Sequence, residues 1–525
     1  MTYFAAVGIK QIQTYLARSR HLWGRRGASD MLAYLTSTEG FDIPREERDF
    51  RFAGEVLKDF PGVEFNRDAV DVDSVLNIRG EHEAEVRNAA KALALNIKLH
   101  LPAAHVQTTL RGADSYSGVI RDEDENRRAE IIDYPPNRIE FPLAHHCDEC
   151  SSGMAAREEK TPEGDKRLCP DCWSRVPNDR RNEALSKAKR QPQVGFLVEQ
   201  VMLRDLGLKQ AKNFLDLASL GDLQGRGRRT STDNHVATIF ADGNGFGKLF
   251  RGLRAEAAKS ADGLAQLGEV SKAVKKATEE ALKSAILHIR RDDDATMPAI
   301  PHILGGDDIL VTVPATRAWP FLIHFLEHLE RAAAEGTFDP QPAPAAASQR
   351  PDMDGAGKKA DNRPRSAGIS FSAGMVICKQ AFPIGDQVEL AAALLRSAKE
   401  AVRGNGWSYA WLDVTNEGPT IPERVYDLED WKGLSELIGL ASQVGSKAPG
   451  EAQTGNNAAR SAIRQELAIP DPRLRTEHLR HLADRMDGAT ALFDRAFGSE
   501  WRHSIVSNSR IQDLQAVLNI MRWHA

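Results

Sequence analysis

The chain has 525 residues, 41% hydrophobic and 27% charged, with 40 Gly and 25 Pro, an ordinary globular composition that suggests about three to four domains and excludes fibrous, disordered and disulfide-rich classes. Its 69 Lys and Arg against 74 Asp and Glu leave a net charge of -5, which excludes a wholly basic nucleic-acid coat and leaves room only for local basic patches. No apolar run reaches the ~18 residues of a membrane helix, and Met1 to Gln11 lacks the pattern of a signal peptide, so a cytoplasmic protein with no membrane partner is expected.

The apolar stretch Tyr3 to Gly8 predicts a strand, followed at helical spacing by Ile12, Tyr15, Leu16 and Leu22. A strand over Val75 to Ile78, a helix over Glu83 to Leu99 and a strand over His105 to Leu110 complete a small α+β sandwich, expected to fill residues 1–140. Residues 141–230 hold the cysteine segment and a linker. Within it, Val176 to Arg190 carries Arg180, Arg181, Lys187, Lys189 and Arg190, a solvated helix face or linker with an RNA-contacting patch as the alternative.

The β-α order restarts at His235. Strand Val236 to Ala241, a long helix to Ile289, strands Ala299 to Leu304 and Ile309 to Val313 around a tight turn, a helix over Trp319 to Glu335, strand Ile369 to Cys378, a helix over Asp386 to Val402 and strand Ser408 to Asp413 follow. Strand, helix, two strands, helix, strand is the ferredoxin-like order, also that of the palm of many nucleotidyltransferases, and it is assigned to residues 231–418. Residues 337–365, rich in Pro, Ala and Asp, read as a flexible loop insertion. The remainder, 419–525, is helical, with Leu434, Leu437, Ile438 and Leu440 in one helix, Ile511, Leu514, Val517, Leu518 and Met521 in another, and a Gly/Ala/Asn loop near Gly445 to Asn457.

Four of the five cysteines form two CxxC pairs: Cys147 and Cys150, then Cys169 and Cys172. That spacing predicts a closed four-thiolate Zn²⁺ site of structural type, because each knuckle presents two thiolates to one ion. A redox dithiol or an iron-sulfur site are the alternatives, and the adjacent His145 and His146 leave the ligand set open. Cys378, in an apolar strand, is expected to be a buried thiol.

Gly305-Gly306-Asp307-Asp308 stands where two apolar strands must reverse. The glycines permit a tight hairpin and close approach of a phosphate to the backbone, and two carboxylates project from the turn. Asp242 ends the preceding strand, which lies beside that hairpin in a ferredoxin-like sheet. Three converging carboxylates can hold Mg²⁺ or Mn²⁺ against triphosphate oxygens, so Asp242, Asp307 and Asp308 are the candidate catalytic and metal-binding residues of a phosphoryl transfer. Gly243, Asn244, Gly245, Phe246 and Lys248 do not form a Walker A sequence, but their backbone N–H groups and the Lys248 ammonium are candidates for nucleotide contact beside Gly305 and Gly306. Lys399 and Arg403, one helical turn apart, are candidates for phosphate contact or a solvated face. His324 and His328 fit an HxxEH peptidase pattern, but the apolar residues around them dominate a helix expected to be structural.

Val7-Gly8-Ile9-Lys10-Gln11-Ile12-Gln13 with Arg18, Arg20, His21, Leu22 and Trp23, then the cysteine knuckles, Asp242-Gly243-Asn244-Gly245-Phe246-Gly247-Lys248 and GGDD, in that order, resemble the large polymerase-cyclase subunit of type III CRISPR systems, the Cas10 family, Cmr2 branch. The resemblance implies an α+β protein with two ferredoxin-like palm domains, an intervening zinc ribbon and a helical C-terminal domain; the first palm is expected to be degenerate, because strand Tyr3 to Gly8 ends in Gly8-Ile9-Lys10 with no carboxylate and no GGDD-like turn follows it. It also implies metal binding by Asp242, Asp307 and Asp308, conversion of ATP into cyclic oligoadenylates in antiviral defence, and crRNA and other type III subunits as partners. Asn244 stands where an acid is common in the family and is assigned as a nucleotide neighbour. None of the 15 His is followed by Asp, so an HD nuclease is not expected. The chain is short for the family, which leaves a guide-RNA complex and a standalone cyclase both open. The alternatives are a non-catalytic scaffold of an RNA-guided complex and another cyclic nucleotide synthase, such as a diguanylate-type cyclase.

Overall fold

The computed structural model describes residues 1–39, 50–69, 75–124, 129–137, 145–161, 164–176, 197–221, 234–338, 369–404, 406–422, 424–444, 456–506, 508–521 and 523. The basic run 180–190 and most of the 337–365 and 445–457 segments lie outside them.

The first unit has strands β1 (Thr2–Lys10), β2 (Val63–Phe65), β3 (Val75–Gly80), β4 (His105–Ala113) and β5 (Glu130–Tyr134), and helices α1 (Ile12–Ala17), α2 (Leu22–Leu35), α3 (Ala53–Leu57), α4 (Glu83–His100) and α5 (Tyr116–Asp124). The sheet runs β2-β3-β1-β4-β5, the ferredoxin-like arrangement extended by β5. Sequence reading missed β2, only three residues long, and the short, largely exposed β5. Alternation builds the core: Leu76 and Ile78 of β3 point inward, and Val86, Ala89, Leu93 and Ile97 of α4 meet them at helical spacing. Each buried Val, Leu or Ile among them is worth roughly 1.5–3 kcal/mol.

The cysteine module adds β6 (Arg157–Thr161), β7 (Gly164–Leu168) and α6 (Pro170–Ser174). It is fixed to the first unit by buried charge. Arg175 is fully buried, bonded to Asp171 at 2.5 Å and to Ser19 Oγ at 3.1 Å, and stacked 4.4 Å over the Tyr15 ring. Glu149 accepts from the His21 backbone N–H at 3.0 Å and lies 2.7 Å from its Nδ1. Two connecting helices follow, α7 (Leu197–Leu206) and α8 (Phe214–Ser219).

The second unit contains β8 (His235–Asn244), α9 (Phe246–Ala257), α10 (Ala261–Ile289), β9 (Ile300–Gly305), β10 (Asp308–Pro314), α11 (Ala318–Ala334), β11 (Ser370–Lys379), α12 (Ile384–Ala401), β12 (Ser408–Asp413), a short α13 (Val414–Glu417) and β13 (Tyr426–Asp427). Sheet order is β13-β12-β11-β8-β10-β9. Helices cover both faces, which explains why β8 and β11 are apolar without alternation. Ala237, Ile239, Ala241, Val311 and Met375 share a core with α10 and α11, whereas Phe240, Leu310, Val376 and Leu412 pack against Ala391, Leu394 and Ala398 of α12. Two expectations are corrected here. The single long helix after β8 is two, because Ser260 caps a new helix by accepting from the Gly263 N–H at 3.0 Å. Phe338, assigned to the loop insertion, is fully buried, 5.5 Å from the Phe246 ring.

The C-terminal part is helical: α14 (Asp430–Gln443), α15 (Asn456–Leu467), α16 (Pro472–Arg485), α17 (Ala489–Phe497) and α18 (Asn508–Ile520). Its core is continuous with that of the second unit. Trp431 stacks 5.4 Å from Trp319, and Trp523 Nε1 donates to Asp413 at 2.8 Å. Among the described residues no helix is long and apolar enough to cross a membrane.

Candidate active site and cysteine centre

The hairpin β9–β10 turns through Gly306 and Asp307. Gly306 has φ 68°, and Asp307 does not share a positive φ, so one glycine is required by the turn, at its first central position. Gly305 has no such requirement. It lies at the end of β9 with an ordinary φ, and a Cβ there would meet only Ile303 Cγ2 at 4.0 Å, an ordinary contact, so the chain itself gives no reason for a glycine; a ligand laid against the backbone would. Thr278 of α10 pins the turn by donating from Oγ1 to the Gly306 carbonyl at 2.8 Å. Sequence reading missed Thr278, although it continues the buried stripe Val274, Ala277 and Ala281 as its polar member.

β10 pairs with β8 through Ile309↔Ala241. One residue further, Asp308 and Asp242 face each other on the side of the sheet covered by α12, the disposition in which like charges repel most. Burial, and next the charge of Asp242, raise the Asp307 carboxyl to about 6 and the Asp308 carboxyl to about 7. Both lie within hydrogen-bonding reach of Asp242. The Lys399 ammonium, from α12, bonds to Asp242 Oδ2 and donates to the Gly243 carbonyl at 3.0 Å. Its charge opposes the rise at both other acids.

The structure brings Asp242, Asp307, Asp308, Gly243, Gly305, Gly306 and Lys399 together; it gives the other predicted residues different places. Phe246 is a core side chain, 2% exposed, among Phe250, Phe338 and Phe371, and only its backbone remains available to a nucleotide. Asn244 is buried, its Nδ2 donating to Ser370 Oγ at 3.2 Å, Ser372 Oγ at 2.9 Å and the Gly406 carbonyl at 3.0 Å. It fastens β8 to β11. Gly245, with φ 83°, starts α9 in a left-handed conformation, and Lys248 on its first turn is exposed. Arg403 is not on the helix with Lys399: α12 ends at Ala401, Arg403 has φ 53°, and the Gly404 N–H bonds back to the Lys399 carbonyl at 2.9 Å. The helix terminates in a left-handed turn that directs Arg403 to solvent. His324 bonds through Nε2 to Ser284 Oγ at 2.8 Å and stacks 4.2 Å from His288, on the α10–α11 side of the sheet, away from the acids.

Cys147, Cys150, Cys169 and Cys172 place their four Sγ atoms within 4.8 Å of one another, with Cys150 and Cys169 3.9 Å apart. A tetrahedron of 2.3 Å Zn–S bonds has edges of about 3.8 Å, so the donor set fits a closed four-thiolate centre. His145 and His146 are exposed and outside the cluster. Among the described residues no other group of three or more Cys, His, Asp or Glu side chains converges in this way; Asp307 and Asp308 each interact with Asp242.

The family model of the Cas10/Cmr2 second palm domain matches residues 235–406. Among solved structures, the Csm1-Csm4 cassette in complex with cA4 is similar at TM-score 0.50 and 10% identity, covering 99% of this chain and 69% of that one. The Csm1-Csm4 subcomplex in the type III-A CRISPR-Csm interference complex has TM-score 0.46 at 10% identity with the same coverage, and the cassette in complex with one ATP has 0.45 at 10%, covering 100% and 70%. At these identities the likeness is one of fold. No curated protein matches the sequence. The hairpin, its acids and strands β8 to β11 all lie inside the matched span, so residues 235–406 are similar to a second palm domain of the Cas10/Cmr2 kind.

Proposed function

We propose that the second unit is a nucleotidyltransferase that converts ATP into cyclic oligoadenylates, as a subunit of a type III CRISPR system with crRNA and other type III subunits as partners. The observation that carries this reading is the pairing of two acids lifted to about 6 and 7 with a third beside them, at a glycine hairpin open to a ligand. Partly buried carboxylates held against one another are unfavourable without a cation, and Asp242, Asp307 and Asp308 have the oxygen donors that suit Mg²⁺ or Mn²⁺. Such ions neutralise phosphate charge and favour the ionised form of an attacking hydroxyl. In the reaction a ribose hydroxyl oxygen of one ATP bonds to the α-phosphorus of another. The bond from that phosphorus to the bridging oxygen breaks, pyrophosphate leaves, and the hydroxyl proton passes to solvent. Gly305 and Gly306 leave the backbone bare for the triphosphate, while Thr278 and the β8–β10 pairing hold the hairpin in place.

The four cysteines are assigned a structural Zn²⁺. The first unit is assigned no catalysis: β1 ends in Gly8-Ile9-Lys10, without a carboxylate at the position of Asp242. Purified protein incubated with each NTP and Mg²⁺ or Mn²⁺, with and without guide and target RNA, and analysed by mass spectrometry tests the reading. Cyclic adenylates are expected; absence of any nucleotide product under all these conditions would make the scaffold reading the better one.

A further inference from the structure

The ammonium of Lys399 lies where a cation is needed. It bonds to Asp242 and to the carbonyl of Gly243, and its field reaches Asp307 and Asp308. We propose that Lys399 is an internal counter-cation that competes with the divalent metal for Asp242 and must leave Asp242 for the metal site to form. This rests on the cyclase reading only in taking the acids as a metal site.

Three observations support the competition. The Lys399 and Asp242 side chains are 27% and 28% exposed, so the pair faces solvent and an incoming ion can reach it. The backbone of Lys399 is fixed by the Gly404 N–H while its charge sits at the end of a long, flexible four-carbon stem, and the C-terminal end of α12 tolerates a cation in either position. Asp307 and Asp308 also both interact with Asp242, the same carboxylate that the ammonium holds. With all three acids ionised the cluster has a formal excess of two negative charges while Lys399 is bound. A neutral side chain in its place leaves one more, and the site should then draw a divalent ion more strongly. Once displaced, the ammonium stands beside the site with a free charge for the triphosphate, so nucleotide and metal would bind cooperatively.

The test is Mn²⁺ binding to nucleotide-free full-length protein, read from the electron paramagnetic resonance signal of free Mn²⁺, for wild type, Lys399→Met and Lys399→Arg, each shown to be folded by circular dichroism and by its zinc content. Lys399→Met is expected to bind Mn²⁺ about tenfold more tightly than wild type, and Lys399→Arg, which keeps the charge, no more tightly than wild type; a merely steric role would not follow charge. Addition of ATP should tighten Mn²⁺ binding more in wild type than in Lys399→Met. Binding by Lys399→Met no tighter than wild type, or by Lys399→Arg as tight as Lys399→Met, would overturn the proposal. Tightened binding with no nucleotide turnover would remove the cyclase reading and keep the competition; turnover with unchanged binding would do the reverse.

Discussion

The ring of Phe246 occupies the space that a side chain on Gly243 would need, and the same Cβ would stand 3.0 Å from Cβ of Asp307. One glycine therefore lets the start of α9 fold under the end of β8 and lets the acidic hairpin close over it. Gly243→Ala should destabilise the protein by about 1–3 kcal/mol through overpacking. It should also weaken Mn²⁺ binding, because the atom displaced on one side belongs to Asp307. Denaturant unfolding and metal titration on the same sample check this, and unchanged values in both would show that the hairpin has room to spare.

The cysteine centre should bind one zinc per chain. Four thiolates at tetrahedral spacing make a site whose binding energy is also folding energy, and the centre is tied to the first unit through Glu149, Asp171 and Arg175. Cys169→Ser should lose the zinc and lower the unfolding temperature of the first unit along with the module. Replacing His145 and His146 by Ala should alter neither, since both are exposed outside the cluster. Elemental analysis and differential scanning calorimetry separate the two outcomes.

Metal binding should depend on pH with a defined sign. Burial, reinforced by Asp242, lifts Asp307 to about 6 and Asp308 to about 7, so at pH 5.5 the metal-free site holds protons that a divalent ion must displace. Mn²⁺ affinity should rise from pH 5.5 to 8, by up to about tenfold per pH unit for each proton released, and level off above the higher value. The stability of metal-free protein runs the other way. An acid whose folded pKa is raised contributes stability that is fully present below its unfolded pKa and is lost as pH rises through the folded value. Binding curves across that range, with proton release followed by calorimetry in two buffers, would show a flat profile if the acids were ordinary surface groups.

The residues proposed to carry the chemistry could be picked out because their signals are local. A CxxC pair is two residues wide, and the glycine hairpin with its acids is a turn between two apolar runs. Asp242 was placed by the ferredoxin-like order, a topological rule that needed only the sequence of strands and helices. What escaped depended on packing across the chain. Phe246 and Asn244 sit among site residues in sequence, yet their side chains turn into the core because Phe338 and Phe371 receive one and Ser370 and Ser372 the other. Arg403 was misplaced by a single backbone conformation, since helical spacing from Lys399 holds only while the helix continues. The bond between Lys399 and Asp242 joins residues 157 apart in sequence and has no signature in either neighbourhood.

The acids and the histidines make opposite predictions from opposite faces of one sheet. Asp307→Ala with Asp308→Ala removes two carboxylates that are costly to ionise where they stand, so at pH 8 the unfolding temperature should stay the same or rise, and zinc content should not change. Turnover should fall by about 1,000-fold or more, because the metal charge that these acids are proposed to hold is worth several kcal/mol to a phosphoryl transfer. Asp242→Ala should give the same loss and in addition release Lys399. His324→Ala with His328→Ala changes a helix on the α10–α11 side, where His324 bonds to Ser284 and stacks on His288; it should reduce stability slightly and leave the rate per folded molecule unchanged. Product formation measured beside the fraction folded decides between the faces. A double Asp variant that still converts ATP at the wild-type rate would remove the hairpin from the mechanism, and a histidine variant that is folded yet inactive would move the active site to the other side of the sheet.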